Sequence, residues 1–439
     1  MPMARQTRLK PIDRRILGLA VPALGALAAD PLLSMADTAF VARLGTIPLA
    51  ALGVDSALFS FAFLAFNFLA YATTPMVARR LGAGDDAGAG RVVVQAVFLG
   101  VVLGVLSTLV MTVAADFLVG LMQAPEPVRG PAVSYLRIRS LAAPAMLVVM
   151  AGHGTFRGLQ DTRTPFVVAL GVNLVNLVLD PVLIFGFGWG IEGAAVATVV
   201  AQWLGAASFL YLLSREGQRR GWEVSRPSLR ELRPILTTGG VVTVRTLFLT
   251  GTLTVATAVA ASLGAEEVAA HQVVAQVWLL LSLTVDALAI AAQAMVADEL
   301  GKADPGAADA VSRRLATWGL AFGVLLAFVV FFGRGVLAAV FGPDAEVAAL
   351  IERAAVVAAL MQPLAALVFV ADGIYLGLLR VGYLATSTAA GAMVALAVMA
   401  VGVAADWGLE GVWWGIAAMV AGRLAVLIAA YPRALARAV

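Results

Sequence analysis

Apolar runs of about 20 residues or more, each long enough to span a bilayer as a helix, repeat along the whole chain. They are separated by short polar loops. The pattern predicts twelve spans, at 14–42, 50–80, 91–120, 132–157, 164–188, 191–214, 234–263, 267–300, 311–341, 349–377, 383–404 and 411–431. Glycine and proline inside such runs are tolerated where neighbouring helices satisfy the freed backbone groups. A membrane β-barrel would instead show segments of roughly ten alternating residues, and the chain has none. The fold class expected is all-α and integral to the membrane.

One long polar connection, SREGQRRGWEVSRPSLRELRP, divides the spans six and six. The expected domains are an N-terminal six-helix half, 1–213, a cytoplasmic linker, 214–233, and a C-terminal half, 234–439. The halves repeat. Leu44-Gly45 matches Leu263-Gly264, Met76-Val77-Ala78 matches Met295-Val296-Ala297, Leu81-Gly82 matches Leu300-Gly301 and Pro144 matches Pro363, each pair 219 residues apart. Trp189-Gly190-Ile191-Glu192-Gly193 matches Trp407-Gly408-Leu409-Glu410-Gly411 at 218. An even number of spans per half makes the repeats parallel, with a cavity between them as the natural binding place.

Composition agrees. Of 439 residues, 61% are hydrophobic and 13% charged, against roughly 25% charged in soluble domains. The charges sit in loops. Arg79, Arg80 and Arg91, Arg157 and Arg163, Lys302, Arg313 and Arg314, and Arg380 follow the even-numbered spans, whereas Glu266, Glu267, Asp344, Glu346, Asp406 and Glu410 lie on the other side. By the positive-inside rule both termini are cytoplasmic, and Trp189, Trp407, Trp413 and Trp414 fall at the outer interface. The expected location is the cytoplasmic (inner or plasma) membrane. The net charge of +3 gives no reason to expect nucleic acid as a partner, and the absence of cysteine excludes disulfides and thiolate metal sites. No spacing suggests a metal site, a phosphate loop or a catalytic constellation, so neither an enzyme nor a cofactor is expected.

Two aspartates interrupt this pattern. Asp37 lies eight residues before Gly45 and Asp180 eight before Gly188, so each is about 12 Å below the same surface at ~1.5 Å per residue. An intramembrane carboxylate is costly and marks an ion, proton or substrate path by default. Two at one depth suggest one site, where they would titrate as a unit. Asn173, Asn176 and Asp180 share a helix face, and Thr198 reaches the same depth in the next span. The competing interpretation is a hydrogen-bonded clamp between helices. The repeat partners of Asp37 and Asp180 are Ala256 and Val398 or Met399, so the acidic pair belongs to the first half alone.

Pro31 and Pro181 remove backbone donors beside the aspartates and are candidate hinges or static kinks. Asp30 either extends the polar path or caps the backbone freed by Pro31. Arg245, Asp286 and Asp372 in the second half are expected to form a buried ion pair, Arg245 reaching one of the two carboxylates. His271 is expected to be a packing or hydrogen-bonding residue, and no role follows for His153.

The segments PALGALAADPLLSMADTAFVARLGT, FRGLQDTRTPFVVALGVNLVNLVLDPVLIFGFGWGIEGAAVAT and LGAEEVAAHQV together resemble the multidrug and toxic compound extrusion (MATE) family, in its DNA-damage-inducible F branch. The resemblance covers essentially the whole chain. It implies a V-shaped pair of six-helix bundles, working by alternating access, that exports organic cations or other amphipathic small molecules in exchange for H⁺ or Na⁺, as a monomer in the bilayer. It places the family's cation site on Asp37, Asn176, Asp180 and Thr198, with Asn173 nearby. The sodium-type branch carries an acid in span seven, where this chain has Arg245, so H⁺ coupling through the first half is expected. A lipid-linked precursor flippase would instead line its cavity with cations and often carry fourteen spans. An intramembrane aspartyl protease would carry Tyr-Asp and Gly-x-Gly-Asp; here the flanks are Ala36-Asp37 and Leu179-Asp180.

Overall fold

In the computed structural model, which describes residues 10–222, 227–342 and 344–438, every regular element is helical. The first span is α1 (Pro11–Ala42). The second joins α2 (Thr46–Leu64) to α3 (Phe68–Gly82) through one tight turn, and the third is α4 (Asp86–Val113), followed by the short α5 (Ala115–Leu121). Next come α6 (Glu126–Ser140), α7 (Ala143–Gly158), α8 (Arg163–Pro181) and α9 (Gly190–Arg220). The second half comprises α10 (Leu229–Leu263), α11 (Ala265–Gly301), α12 (Pro305–Phe341), α13 (Ala345–Gly377), α14 (Val381–Ala404) and α15 (Gly408–Ala436). Among the described residues eleven spans are single runs; α6 and α7 make the twelfth, bent by 49°.

The bend has a local cause. Pro144 has no amide to offer the Ser140 carbonyl. That carbonyl accepts instead from Thr108 Oγ1 of α4 at 2.7 Å, and Ser140 Oγ lies 2.9 Å from Thr112 Oγ1. The break is therefore satisfied by a neighbouring helix, as a low-dielectric interior requires.

The 219-residue repeat recurs in the packing. Gly104 leaves room for Pro144, and Gly323 for Pro363; a Cβ at either would fall on the proline's backbone. Gly154 abuts Ala70 and Gly373 abuts Ala289, again equivalent positions. Small residues at these crossings let backbones approach closely. Asp85 caps α4 by accepting from Gly88 N at 2.7 Å, and Asp304 caps α12 by accepting from Ala307 N at 2.8 Å. The bond from the Gly88 amide, helped by Arg80, holds the Asp85 carboxyl below the usual carboxylate range. Its contribution is thus present above the ordinary carboxylate value and disappears as pH falls through the lowered one. Asp304→Ala should cost about 1 kcal/mol, read as a lower thermal midpoint of the purified protein, and Asp85→Ala should act in the same direction.

The compact units are not cut where the polar connection lies. One holds Gly25–Thr246; the other holds the chain up to Leu24 together with Leu247 onward. Both boundaries fall inside helices, α1 and α10. The reason is chemical. Asp13, in the first turn of α1, accepts from Arg314 Nε (2.7 Å) and Trp318 Nε1 (2.8 Å) of α12. Arg15 donates to Glu299 (2.7 Å) and Asp298 (2.5 Å) of α11. The first turns of α1 thus belong with helices of the second repeat. Of the linker, residues up to Arg220 continue α9, Gly221 ends it with a positive φ of 68°, and α10 begins at Leu229.

Candidate functional site

The Gly25–Thr246 unit brings Asp37 of α1, Asn176 and Asp180 of α8, and Thr198 of α9 together. Asp180 and Asn176 are buried, at 0% and 1% exposure, while Asp37 is half-buried. The Asn176 amide is oriented by its neighbours: its nitrogen donates to Asp37 Oδ1 at 2.8 Å and its oxygen accepts from Thr198 N at 3.3 Å. The reverse orientation would set oxygen against oxygen and nitrogen against nitrogen. The amide atom facing Asp180 lies 3.5 Å from Asp180 Oδ1. The other oxygen, Asp180 Oδ2, is buried with no donor among the described residues.

The neighbouring backbone is unusual at the same point. α8 ends at Pro181, beside Asp180, and passes into a wider π turn, Val182–Gly186, closed by Phe187 N to Val182 O at 2.9 Å. Such π turns occur frequently at functional sites. Around Pro31, by contrast, α1 continues as one helix. Asp30 lies within α1, and its side chain is outside the described residues. Asn173, one turn before Asn176, is half-buried and makes no hydrogen bond to the cluster.

A second charged group lies close by and was not singled out in the sequence. Asp55 of α2, fully buried, accepts from Arg139 Nη1 of α6 at 2.6 Å. The Arg139 guanidinium sits 4.5 Å from the centroid of the Phe59 ring. Both residues interrupt predicted spans, and the rule that drew attention to Asp37 applies equally to them.

In the other unit, Asp372 is held by Arg423 of α15, whose Nη2 lies 2.8 Å from both carboxylate oxygens; the two residues are 5% and 3% exposed. Arg423 was not among the residues singled out in the sequence. Arg245 and Asp286 are both half-buried. His271 is buried, with Nε2 3.2 Å from Thr257 Oγ1 and its ring against Trp413, while His153 packs on Phe209.

Twelve spans in two internally matching repeats, with a polar cluster confined to one of them, define a membrane transporter. The MatE family profile matches residues 22–182 and 242–401, and the chain belongs to this family, whose members are transporters and not enzymes. It is 36% identical over 425 residues to Protein DETOXIFICATION 44, chloroplastic, of Arabidopsis thaliana, covering 94% of this chain and 81% of that one. It is 28% identical over 296 residues to DNA damage-inducible protein F of Escherichia coli K12, covering 66% and 64%. Among solved structures, a MATE crystal structure in the bent conformation aligns with a TM-score of 0.89 at 22% identity, over 98% of this chain and 96% of that one; the fold is the same.

Proposed function

We propose that this protein is a proton-coupled antiporter that exports organic cations or other amphipathic toxic compounds by alternating access, with Asp37 and Asp180 as the coupling pair. The observation that carries the reading is the Asp37–Asn176–Asp180 cluster, in which Asn176 lies between the two carboxyls and Asp180 Oδ2 is buried with no donor among the described residues. A proton is the ligand such an oxygen lacks. Asn176 and Thr198 orient the pair, and Asn173 extends the same helix face toward it. A second proton arriving from outside neutralises Asp37, weakens its hold on a bound cation and removes the cost of a charge in a dry pocket. The π turn after Pro181 gives the outer end of α8 a place to yield, and Pro31 is the matching candidate hinge in α1.

The name of the plant relative and the meaning of the family name both favour toxic small molecules as cargo, and the Escherichia coli relative favours the DNA-damage-inducible F branch. The loop charges favour cytoplasmic termini and a cytoplasmic membrane, and a monomer suffices because the cluster draws on one chain. H⁺ is favoured over Na⁺ because the second-half acid, Asp372, is already paired with Arg423.

The test is transport in proteoliposomes holding the purified protein, with ethidium as the organic cation and gradients imposed one at a time. A pH gradient should drive ethidium movement and a Na⁺ gradient at equal pH should not. Transport driven by Na⁺ alone would sink proton coupling.

A further inference from the structure

We propose that the second half carries a binding groove of its own, between α13 and α15, for a monovalent organic cation with an apolar body. The groove requires neither the aspartate pair nor proton coupling. Its volume is about 850 Å³, within the ~300–1,000 Å³ of small-molecule sites. It lies wholly in the unit that holds Leu247 onward. Asp406 and Trp407 form one end, beside the start of α15, and the groove follows α15 through Trp414 to Ala421. Trp407 and Ala421 are fourteen residues apart, or about 21 Å at ~1.5 Å per residue. α13 contributes Arg353 and Leu364.

The internal repeat shows what is particular to this groove. At the 218-residue register, Asp406, Trp414 and Ala421 correspond to Gly188, Val196 and Trp203. In the first half Trp203 reaches across to the α6–α7 bend, where its Nε1 donates to Leu141 O at 3.0 Å. In the second half α13 runs unbroken and position 421 is alanine, so the space that an indole takes up in one half is open in the other. The three replacements supply three different things: depth, an aromatic face and a carboxylate. The carboxylate stands where the backbone is left-handed, with φ of 53° at Asp406 and 70° at Gly188. Glycine is favoured there, and aspartate is among the few residues that tolerate it. An interfacial anchoring role accounts for exposed tryptophans. It does not account for the emptied volume alongside them.

The lining selects the ligand. Trp407 and Trp414 are each 45% exposed, so a ligand can reach both rings. Trp407 is braced by Gly402 and Gly411, at each of which a Cβ would come within 3.4 Å of it. Glu410 Oε1 is met by Arg353 Nε at 3.3 Å. Asp406 adds a second carboxylate, so the three charges of the lining sum to one negative. Indole faces attract organic ammonium ions more strongly than other rings do. Beyond Trp414 the wall of α15 is alanine, at positions 417, 418 and 421. One net negative charge, two indoles and an apolar depth match one positive charge carried on an apolar body. A zwitterionic lipid headgroup brings no net charge to balance Asp406.

The experiment is fluorine NMR of the full chain labelled with fluorotryptophan, in a non-ionic detergent. Trp407→Phe and Trp414→Phe assign two of the eight tryptophan resonances. Hexyltrimethylammonium should shift both resonances saturably, and uncharged hexanol should not. Asp406→Asn, and Trp414→Leu read at Trp407, should each weaken the binding by about two- to fivefold, the range for an exposed ion pair or cation–ring contact. Ala421→Trp, which restores the first-half residue, should abolish it. If Ala421→Trp does not fold, the other two variants carry the test. No saturable shift, an equal response to hexanol, or binding that these folded variants leave unchanged overturns the inference. The titration is repeated in phosphatidylcholine nanodiscs. A response lost there alone would give the groove to the lipid's choline headgroup and overturn the soluble cation as its occupant. The readout involves no proton gradient, so failure here leaves the coupling reading standing, and failure of that reading leaves the groove.

Discussion

Asp180→Asn and Asp37→Asn should each stop gradient-driven efflux in proteoliposomes, by at least about tenfold, while the protein still inserts and folds. Asparagine nearly matches the volume of aspartate and resembles its neutral form, so each variant mimics a permanently protonated position. Asp180 Oδ2 has no donor to lose among the described residues, and Asn176 can reorient its amide toward whichever oxygen remains. The site therefore keeps its packing and loses only its exchangeable charge. The double variant should be little worse than either single one, because residues in one hydrogen-bonded network act as a unit and their effects do not add. Retention of the wild-type pH dependence by both single variants would leave the aspartates as a clamp between helices. Equilibrium binding of the exported cation separates the two outcomes further: loss of coupling predicts binding that no longer responds to pH.

Arg423→Met should destabilise the protein by about 3–5 kcal/mol, the range for breaking a buried ion pair by removing one partner. Asp372 is 5% exposed. The Arg423 stem also packs against Gly391, where its Cγ occupies the space that a Cβ would need, so methionine retains part of the apolar contact and isolates the electrostatic loss. The companion variant D372L/R423M should recover most of the stability, since well-packed apolar replacements of buried pairs are often neutral or better. Thermal unfolding in one detergent, compared across the three proteins, reads this directly. Equal destabilisation by the single and double variants would assign the effect to packing instead.

Hydropathy fixes where a residue lies along a helix, and the matching positions of Asp37 and Asp180 were legible for that reason: each lies eight residues before a glycine near the end of its apolar run. The number of spans was legible too, because each must be long and apolar enough to cross. So was the repeat, which reappears as matched glycine crossings and as the paired caps Asp85 and Asp304. The face that a residue presents was partly legible on one helix, where Asn176 and Asp180 are one turn apart. Which other helix meets that face was not. Arg423 was not named as a partner of Asp372, because it lies 51 residues away on a helix that only packing brings alongside. Asp55 and Arg139, 84 residues apart, looked like isolated interruptions until α2 and α6 were laid together. The assignment of the first turns of α1 to the second repeat was likewise invisible, since the bonds of Asp13 and Arg15 span nearly 300 residues. A one-dimensional pattern carries depth and period. Charge pairing in a membrane depends on azimuth and neighbour, which the tertiary structure alone decides, because a buried charge takes whichever opposite charge the packed helices bring within reach.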